Sequence, residues 1–219
     1  MKYTCKTCGK EFDDSFEGWR CSCGGSLWIN REVKFNRDDI RQNDFTQWRY
    51  DKAYPIKKDE LISTFGEGMT PLVLEIWDGF NIYIKNEAIM PTGSFKDRGV
   101  SMMINHLALQ GVTKITEDSS GNAGASVAEY AANADMACSI YVPEGTSQGK
   151  IGQVISSDAR IHQIPGPREA TARAAQSAID GVYASHNWNP YFIEGVKSIA
   201  YEVWEQLDFT APDNIVVPA

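Results

Sequence analysis

Lys96 stands in the segment Pro91-Thr92-Gly93-Ser94-Phe95-Lys96-Asp97-Arg98-Gly99, a turn that runs into the mostly apolar stretch Val100–Leu109. Pro91 and Gly93 punctuate the turn, and Ser94 has the side chain of a helix N-cap. The lysine therefore falls in or beside the first turn of a helix, where the positive end of the backbone dipole disfavours a cation. That favours the free amine, the form that attacks a carbonyl or abstracts a proton. The plain alternative is a solvated lysine in a polar loop. A second constellation, Asp118-Ser119-Ser120-Gly121-Asn122-Ala123-Gly124, lies between a strand-like run and a small-residue helix. Backbone N–H groups and hydroxyls at such a junction can hold an anion. Gly121 and Gly124 permit close backbone approach, and Asn122 can donate and accept; the alternative is an ordinary loop with a serine cap. A Schiff-base lysine needs an aldehyde. Pyridoxal phosphate supplies one, with a ring oxygen for an amide donor and a phosphate for a glycine-rich loop.

A third group is made of sulfur. Four of the five cysteines fall within the first 23 residues, as Cys5-x2-Cys8, twelve residues, then Cys21-x-Cys23. Gly9, Gly24 and Gly25 follow the pairs and allow tight turns. In a reducing compartment such a cluster favours metal over disulfides, and four thiolates suit a closed, structural zinc site. The single residue inside the second pair departs from the usual two, which leaves a reduced, metal-free knuckle as the alternative.

The elements that must position these groups follow in order. Residues 1–30 read as a zinc-knuckle-like segment. Residues 31–62 read as an arm or linker, with Trp48, Tyr50, Tyr54 and Pro55 among charges and no clear period. Residues 63–219 read as an α/β unit. Gly66–Leu72 is turn-rich and leads into Val73 and Leu74, and residues 79–87 are strand-like, with Ile82 and Ile84 alternating with Tyr83 and Lys85. Helices are then expected over Val100–Leu109, Ala123–Ala134, Ser147–Ser156, Arg168–Ile179 and Glu194–Leu207. Strands are expected over Lys114–Glu117, Cys138–Val142, Arg160–Ile164 and Asn214–Val217. Strands alternating with helices predict a parallel α/β sheet with flanking helices, and ligands on such sheets bind beyond the carboxyl ends of the strands.

Bulk properties narrow the function classes. The 219 residues carry 21 basic and 29 acidic side chains, a net charge of −8, which argues against a nucleic-acid or anionic-membrane surface. Hydrophobic residues make up 42%, ordinary for a globular chain, and no apolar run approaches the ~18 residues of a membrane span. Met1–Cys5 lacks the apolar core of a signal peptide, so a cytoplasmic protein is expected.

Residues 64–130 resemble threonine synthase, a pyridoxal-phosphate enzyme of the tryptophan-synthase-β type (fold type II). The resemblance is carried by Gly-Glu-Gly-Met-Thr-Pro-Leu at 66–72, the lysine segment at 91–99 and Ser-Ser-Gly-Asn-Ala-Gly-Ala-Ser at 119–126. It continues more loosely through Val142-Pro143, Gly149-Lys150-Ile151, Asn189-Pro190 and Glu194-Gly195-Val196-Lys197, and the cysteine-rich start is similar to that of relatives with an N-terminal knuckle. The resemblance implies that Lys96 carries the cofactor and then moves protons on the substrate. It implies that Asn122 bonds the cofactor ring oxygen, that Phe95 packs beside the ring, and that Ser119, Ser120, Gly121 and Ala123 receive the substrate carboxylate. Asp97 and Arg98 would brace the turn. The implied reaction takes O-phospho-L-homoserine and water to L-threonine and phosphate, with the cofactor as electron sink.

Two departures from that family pattern matter. The serine and arginine that flank Asn-Pro and help bind the substrate phosphate are replaced by Asn187 and Phe192, and neither His186 nor Tyr191 supplies a guanidinium. Asn187 is therefore a candidate substrate contact of altered kind. The chain also stops at Val216-Val217-Pro218-Ala219, where the family continues into its phosphate-binding loop. The expectation is an N-terminal portion of an enzyme, weakly active alone, partnered by a small amino-acid phosphate and by a second copy or a complementing C-terminal chain. The rivals are another fold-type II enzyme, such as a serine/threonine dehydratase or a β-replacement enzyme, and a non-catalytic zinc-knuckle binding relic.

Overall fold

The computed structural model describes residues 2–13, 16 and 18–217, without the side chain of Lys150. Met1, Pro218, Ala219 and that side chain, all touched on above, lie outside the described residues. Strands β1 (Tyr3–Cys5), β2 (Glu11–Phe12) and β3 (Leu27–Ile29) form an antiparallel sheet in the order β2-β1-β3. Tyr3, Cys5, Leu27 and Ile29 alternate inward, as period-2 patterning requires. They share one apolar cluster with Ile40, Trp48, Tyr50, Tyr54, Met102 and Tyr191. Residues 31–62 contain three 3-10 turns, Arg37–Asp39, Gln47–Ala53 and Lys58–Glu60. Asn36 and Thr46 start the first two by accepting the backbone N–H of Asp38 and Trp48. Turns this short impose no helical period, which is why Trp48, Tyr50 and Tyr54 can be buried without periodic spacing.

Strands β4 (Leu72–Trp77) and β5 (Phe80–Lys85) make an antiparallel hairpin, closed at Asp78-Gly79 with φ of +49° and +82°. An Asp-Gly pair in this conformation matches the right-handed twist of the strands. Only the second strand was expected from alternation; β4, Leu-Val-Leu-Glu-Ile-Trp, has no polar–apolar alternation to mark it. Neither face of the hairpin is covered by the described residues: all but Leu72 and Lys85 are exposed.

The rest is the α/β unit. Helix α1 (Lys96–Leu109) precedes β6 (Lys114–Glu117). Then come α2 (Asn122–Asn133), β7 (Ala137–Pro143), α3 (Gln148–Ser156), β8 (Arg160–Ile164), α4 (Arg168–Gln176), β9 (Val182–Tyr183), α5 (Pro190–Val196) and α6 (Ser198–Gln206). The four strands are all parallel, in the order β8-β7-β6-β9. Val100, Ile104, Ile115, Val127, Ile140 and Val142 pack the space between helices and sheet. From β6 the chain winds one way to β7 and β8, then returns to β9 on the other side. Strand order reverses between β6 and β9, and it is beyond the carboxyl ends of strands at such a reversal that a binding crevice forms.

Several expectations are corrected. Helix α1 starts at Lys96, after Phe95 in helical conformation, and Ser94 reaches only the Lys96 N–H, at 3.3 Å. Helix α4 ends at Gln176 rather than Ile179, where the Ser177 hydroxyl donates to the Arg173 carbonyl and the chain turns into the unforeseen β9. The helix expected over Glu194–Leu207 is two helices, and the first begins earlier because Asn189 caps it and Pro190 takes its first position. Asn214–Val217 is not a strand: Ile215, Val216 and Val217 are exposed and pair with no described strand. Among the described residues no helix is long and apolar enough to cross a membrane.

Candidate active site and cysteine cluster

The turn around Lys96 is fixed by its neighbours. Asp97 is buried and accepts from the Thr92 backbone N–H at 2.7 Å, from the Ser126 hydroxyl of α2 at 2.6 Å and from the Thr92 hydroxyl. Arg98, also buried, donates to Glu87 at 2.6 and 2.8 Å, to Glu202 of α6 at 2.5 and 2.8 Å, and to Ser198 at 2.9 Å. Both residues brace the turn and leave Lys96 to face the crevice. Its Nζ lies 4.3 Å from the centre of the Phe95 ring and 5.7 Å from that of Phe192. Partial burial pulls the amine below its ordinary range, against an opposing pull from the Glu117 carboxylate. The Phe192 ring lies where a side chain at Gly99 would point, so α5 seats directly on the first turns of α1.

The loop Asp118–Gly121 leaves the end of β6 and enters α2 at Asn122. Ser119 and Ser120 are half-buried, Gly121 and Asn122 are exposed, and Ala123 is buried. The Ser119 hydroxyl accepts the Gly121 N–H at 3.3 Å, which curls the loop over the helix start. The first N–H groups of a helix have no intrahelical acceptor, so this end offers donors to an anion. A Cβ on Gly124 would run into the Ser119 carbonyl oxygen; only glycine lets the loop fold back this far. Asp118 is tied down by Arg168 of α4 at 2.7 Å and by the Tyr183 hydroxyl of β9 at 2.6 Å.

The facing wall is the segment after β9. Thr116 and Tyr183 are register partners, and the Ala184 N–H bonds the Thr116 carbonyl at 2.8 Å. His186 then stands with Nδ1 2.7 Å from Oε1 of Glu117, the last residue of β6. Glu117 is fully buried, and burial raises its carboxyl above the usual range in spite of His186. Its Oε2 has no hydrogen-bond partner among the described residues. The His186 ring meets Phe192 nearly edge-on at 6.0 Å. Asn187 lies in the same segment, exposed, with its backbone N–H on the Ser185 hydroxyl at 3.2 Å. Residues 95–96, 119–123 and the 186–192 segment therefore belong to elements that meet around one crevice. Glu117 was not singled out in the sequence; the available signal was a glutamate that ends the short strand Lys114–Glu117 directly before the serine loop.

The cysteines form a separate group. The sulfurs of Cys5, Cys8, Cys21 and Cys23 all lie within 4.8 Å of one another, a group that could hold a metal ion. Cys5 and Cys23 are 3.5 Å apart, and Cys8 and Cys21 3.6 Å. The Cys8 backbone N–H is the main influence lowering the Cys5 thiol, to about 6. The same segment reaches the crevice wall: the Trp19 ring lies 5.2 Å from Tyr183 and 5.6 Å from Trp188.

The sequence profile of the pyridoxal-phosphate dependent enzymes matches residues 63–219. Threonine synthase of Methanocaldococcus jannaschii is 34% identical over 231 aligned positions, covering 100% of this chain and 57% of that protein. Threonine synthase of Methanosarcina acetivorans is 30% identical over 226 positions, covering 98% and 55%. The chain thus spans about half the length of the curated relatives it matches. Among solved structures, a pyridoxal 5'-phosphate-dependent aspartate racemase superposes with a TM-score of 0.59 at 23% identity, over 64% of this chain and 46% of that one. That likeness is one of fold.

Proposed function

The chain belongs to the pyridoxal-phosphate dependent enzyme family, and from that premise we propose that it acts as a lyase of the threonine-synthase kind, taking O-phospho-L-homoserine and water to L-threonine and phosphate. One observation carries the reading: the only partly solvated Lys96 amine stands between the Phe95 and Phe192 rings, at the crevice that the Ser119–Ala123 loop also borders. These residues suit the cofactor. The rings offer apolar walls for a pyridine. Asn122, exposed at the start of α2, has an amide free to donate to a ring oxygen. The glycine-dependent fold-back at Gly124 leaves the helix N-terminus open to a carboxylate.

When bound, the cofactor supplies an electron sink for the substrate's α-carbon. The protein's own part is to hold and to move protons. Lys96 attaches the cofactor and, as a free amine, takes and returns the proton at the α-carbon. Ser119, Ser120 and the N–H groups around Gly121 and Ala123 orient the substrate carboxylate. Asn187, exposed in the segment after β9, would meet the substrate side chain.

The four cysteines form a structural zinc site in this proposal. Zn–S bonds of about 2.3 Å in a tetrahedron put sulfurs about 3.8 Å apart, and the observed group is close to that spacing. The open β4–β5 hairpin is proposed to be covered by polypeptide corresponding to the remaining length of the relatives, on this chain or a complementing one.

A second reading is favoured by Phe192, which stands where the family resemblance implies a phosphate-binding arginine: a dehydratase acting on serine or threonine. Phosphohomoserine, threonine and serine offered to the complete enzyme separate the two, because only the first reading releases phosphate. Adding pyridoxal phosphate should produce a visible absorbance band that Lys96→Ala abolishes; a band that survives the substitution would falsify the lysine assignment.

A further inference from the structure

The pair formed by Glu117 and His186 has no counterpart in the roles assigned so far. Glu117 is buried at the carboxyl end of β6, one residue before the loop proposed to bind substrate. Its Oε1 meets His186 Nδ1 at 2.7 Å. With the Nδ1 proton held toward a carboxylate, the imidazole presents Nε2 outward as an acceptor, and as a donor once protonated. No hydrogen bond occupies Nε2 among the described residues. The ring stands against Phe192, the same side chain that Lys96 Nζ approaches from 5.7 Å. Oε2 of Glu117 is buried and unpartnered, and the field of this carboxylate reaches Lys96. An imidazole and an amine thus approach the same Phe192 ring, with the imidazole oriented by a buried acid behind it. Of the other titratable groups nearby, Asp118 is engaged by Arg168 and Tyr183, and the Cys138 thiol of β7 is pushed up to about 12 by burial and by Glu117, which keeps it neutral.

We propose that His186 is a catalytic acid–base residue for the oxygen on the substrate's β-carbon, and that Glu117 is its positioning residue. This rests on the lyase reading above and deepens it, and it serves both substrate alternatives. In water addition, oxygen bonds to the β-carbon of the substrate's double bond and gives one proton to Nε2. The displaced electron pair goes to the α-carbon, which takes a proton from Lys96. In dehydration the same steps run backwards: Lys96 takes the α-proton, the C–O bond breaks, and the leaving hydroxyl takes the Nε2 proton and departs as water.

Two measurements on the full chain test this. The first needs no turnover: nitrogen-detected histidine spectra, assigned with His186→Gln among the three histidines. His186 is expected as the Nδ1–H tautomer, and that preference is expected to be lost in Glu117→Leu, which leaves Nδ1 without its acceptor. A tautomer unchanged by the substitution overturns the pair. The second compares elimination of water from L-serine with elimination of chloride from β-chloro-L-alanine, whose leaving group needs no proton. His186→Gln is expected to lower the serine-to-chloroalanine ratio of turnover by about 10²-fold, the low end for general acid–base catalysis. Equal losses on both substrates would mean a packing role and overturn the proposal. A missing Lys96-dependent cofactor band would instead overturn the lyase reading and leave the histidine tautomer to judge the pair.

Discussion

Arg98 is the side chain whose removal would be felt farthest from where it sits. It is wholly buried, and its donors hold Glu87, Glu202, Thr70 and Ser198 together. Arg98→Met would leave two carboxylates facing each other with less cation to share. Breaking a buried pair from one side costs about 3–5 kcal/mol, so urea denaturation should show a loss of that order; a loss below about 1 kcal/mol would mean that solvent already screens the pair. The same cluster sets an acid limit. Burial opposes charge on Glu202, but Arg98 and Lys85 outweigh it and hold the carboxyl below its ordinary value of 4.5. The stability this provides is intact above that value and drains away as pH falls through the lower, folded one. The melting temperature should therefore drop below about pH 4.5, and Glu202→Gln should flatten that part of the curve while lowering its plateau. Little of this cluster was legible in sequence: Arg98 could be read as bracing its turn, but Glu202 lies 104 residues away and nothing local marks it as a partner.

At the scale of elements, alternation was informative where elements are long. Helices α1, α2 and α3 and strands β6, β7 and β8 lie close to where hydrophobic period and turn residues put them. It failed where pairing, not pattern, makes the element. Strand β9 has two residues and exists because Thr116 offers it a carbonyl, while Ile215–Val217 has a strand's composition and no described neighbour. The site followed the same division. Lys96 and the Ser-Ser-Gly-Asn loop announce themselves by local turn chemistry; Glu117 and His186 meet only because the sheet reverses its order between them. Two experiments belong here. Gly124→Ala forces a Cβ against the Ser119 carbonyl, and overpacking of this kind costs about 1–3 kcal/mol. Cofactor affinity should fall with it, since the loop must move; unchanged affinity would show that the fold-back is dispensable. The cysteine cluster should carry about one zinc per chain, lost in Cys8→Ser. Because Trp19 packs on Tyr183 and Trp188, chelation should also shift tryptophan emission, and an unshifted spectrum would disconnect the cluster from the crevice wall.

On the scale of the whole molecule, two features stand out: an exposed hairpin and contacts that span the chain. Ile76, Trp77 and Phe80 are 74%, 70% and 72% exposed at the hairpin tip. Uncovered apolar surface flanked by unpaired strand edges promotes association. The chain by itself should scatter light more strongly than a Trp77→Lys, Phe80→Lys variant; equal scattering would show that the hairpin is not the sticky surface. The other feature bears on time. Arg49 forms bonds of 2.9 and 2.6 Å with Glu205, 156 residues later, and the Tyr50 hydroxyl reaches the same carboxylate at 2.5 Å. A ribosome adding about 5–20 residues per second would hold residues 31–62 waiting for roughly ten to thirty seconds before their partner emerges. Through that interval Trp48, Tyr50 and Tyr54 have no finished core to enter. The nascent chain is therefore most in need of a chaperone early, over its first third, well before the crevice that does the chemistry has been made.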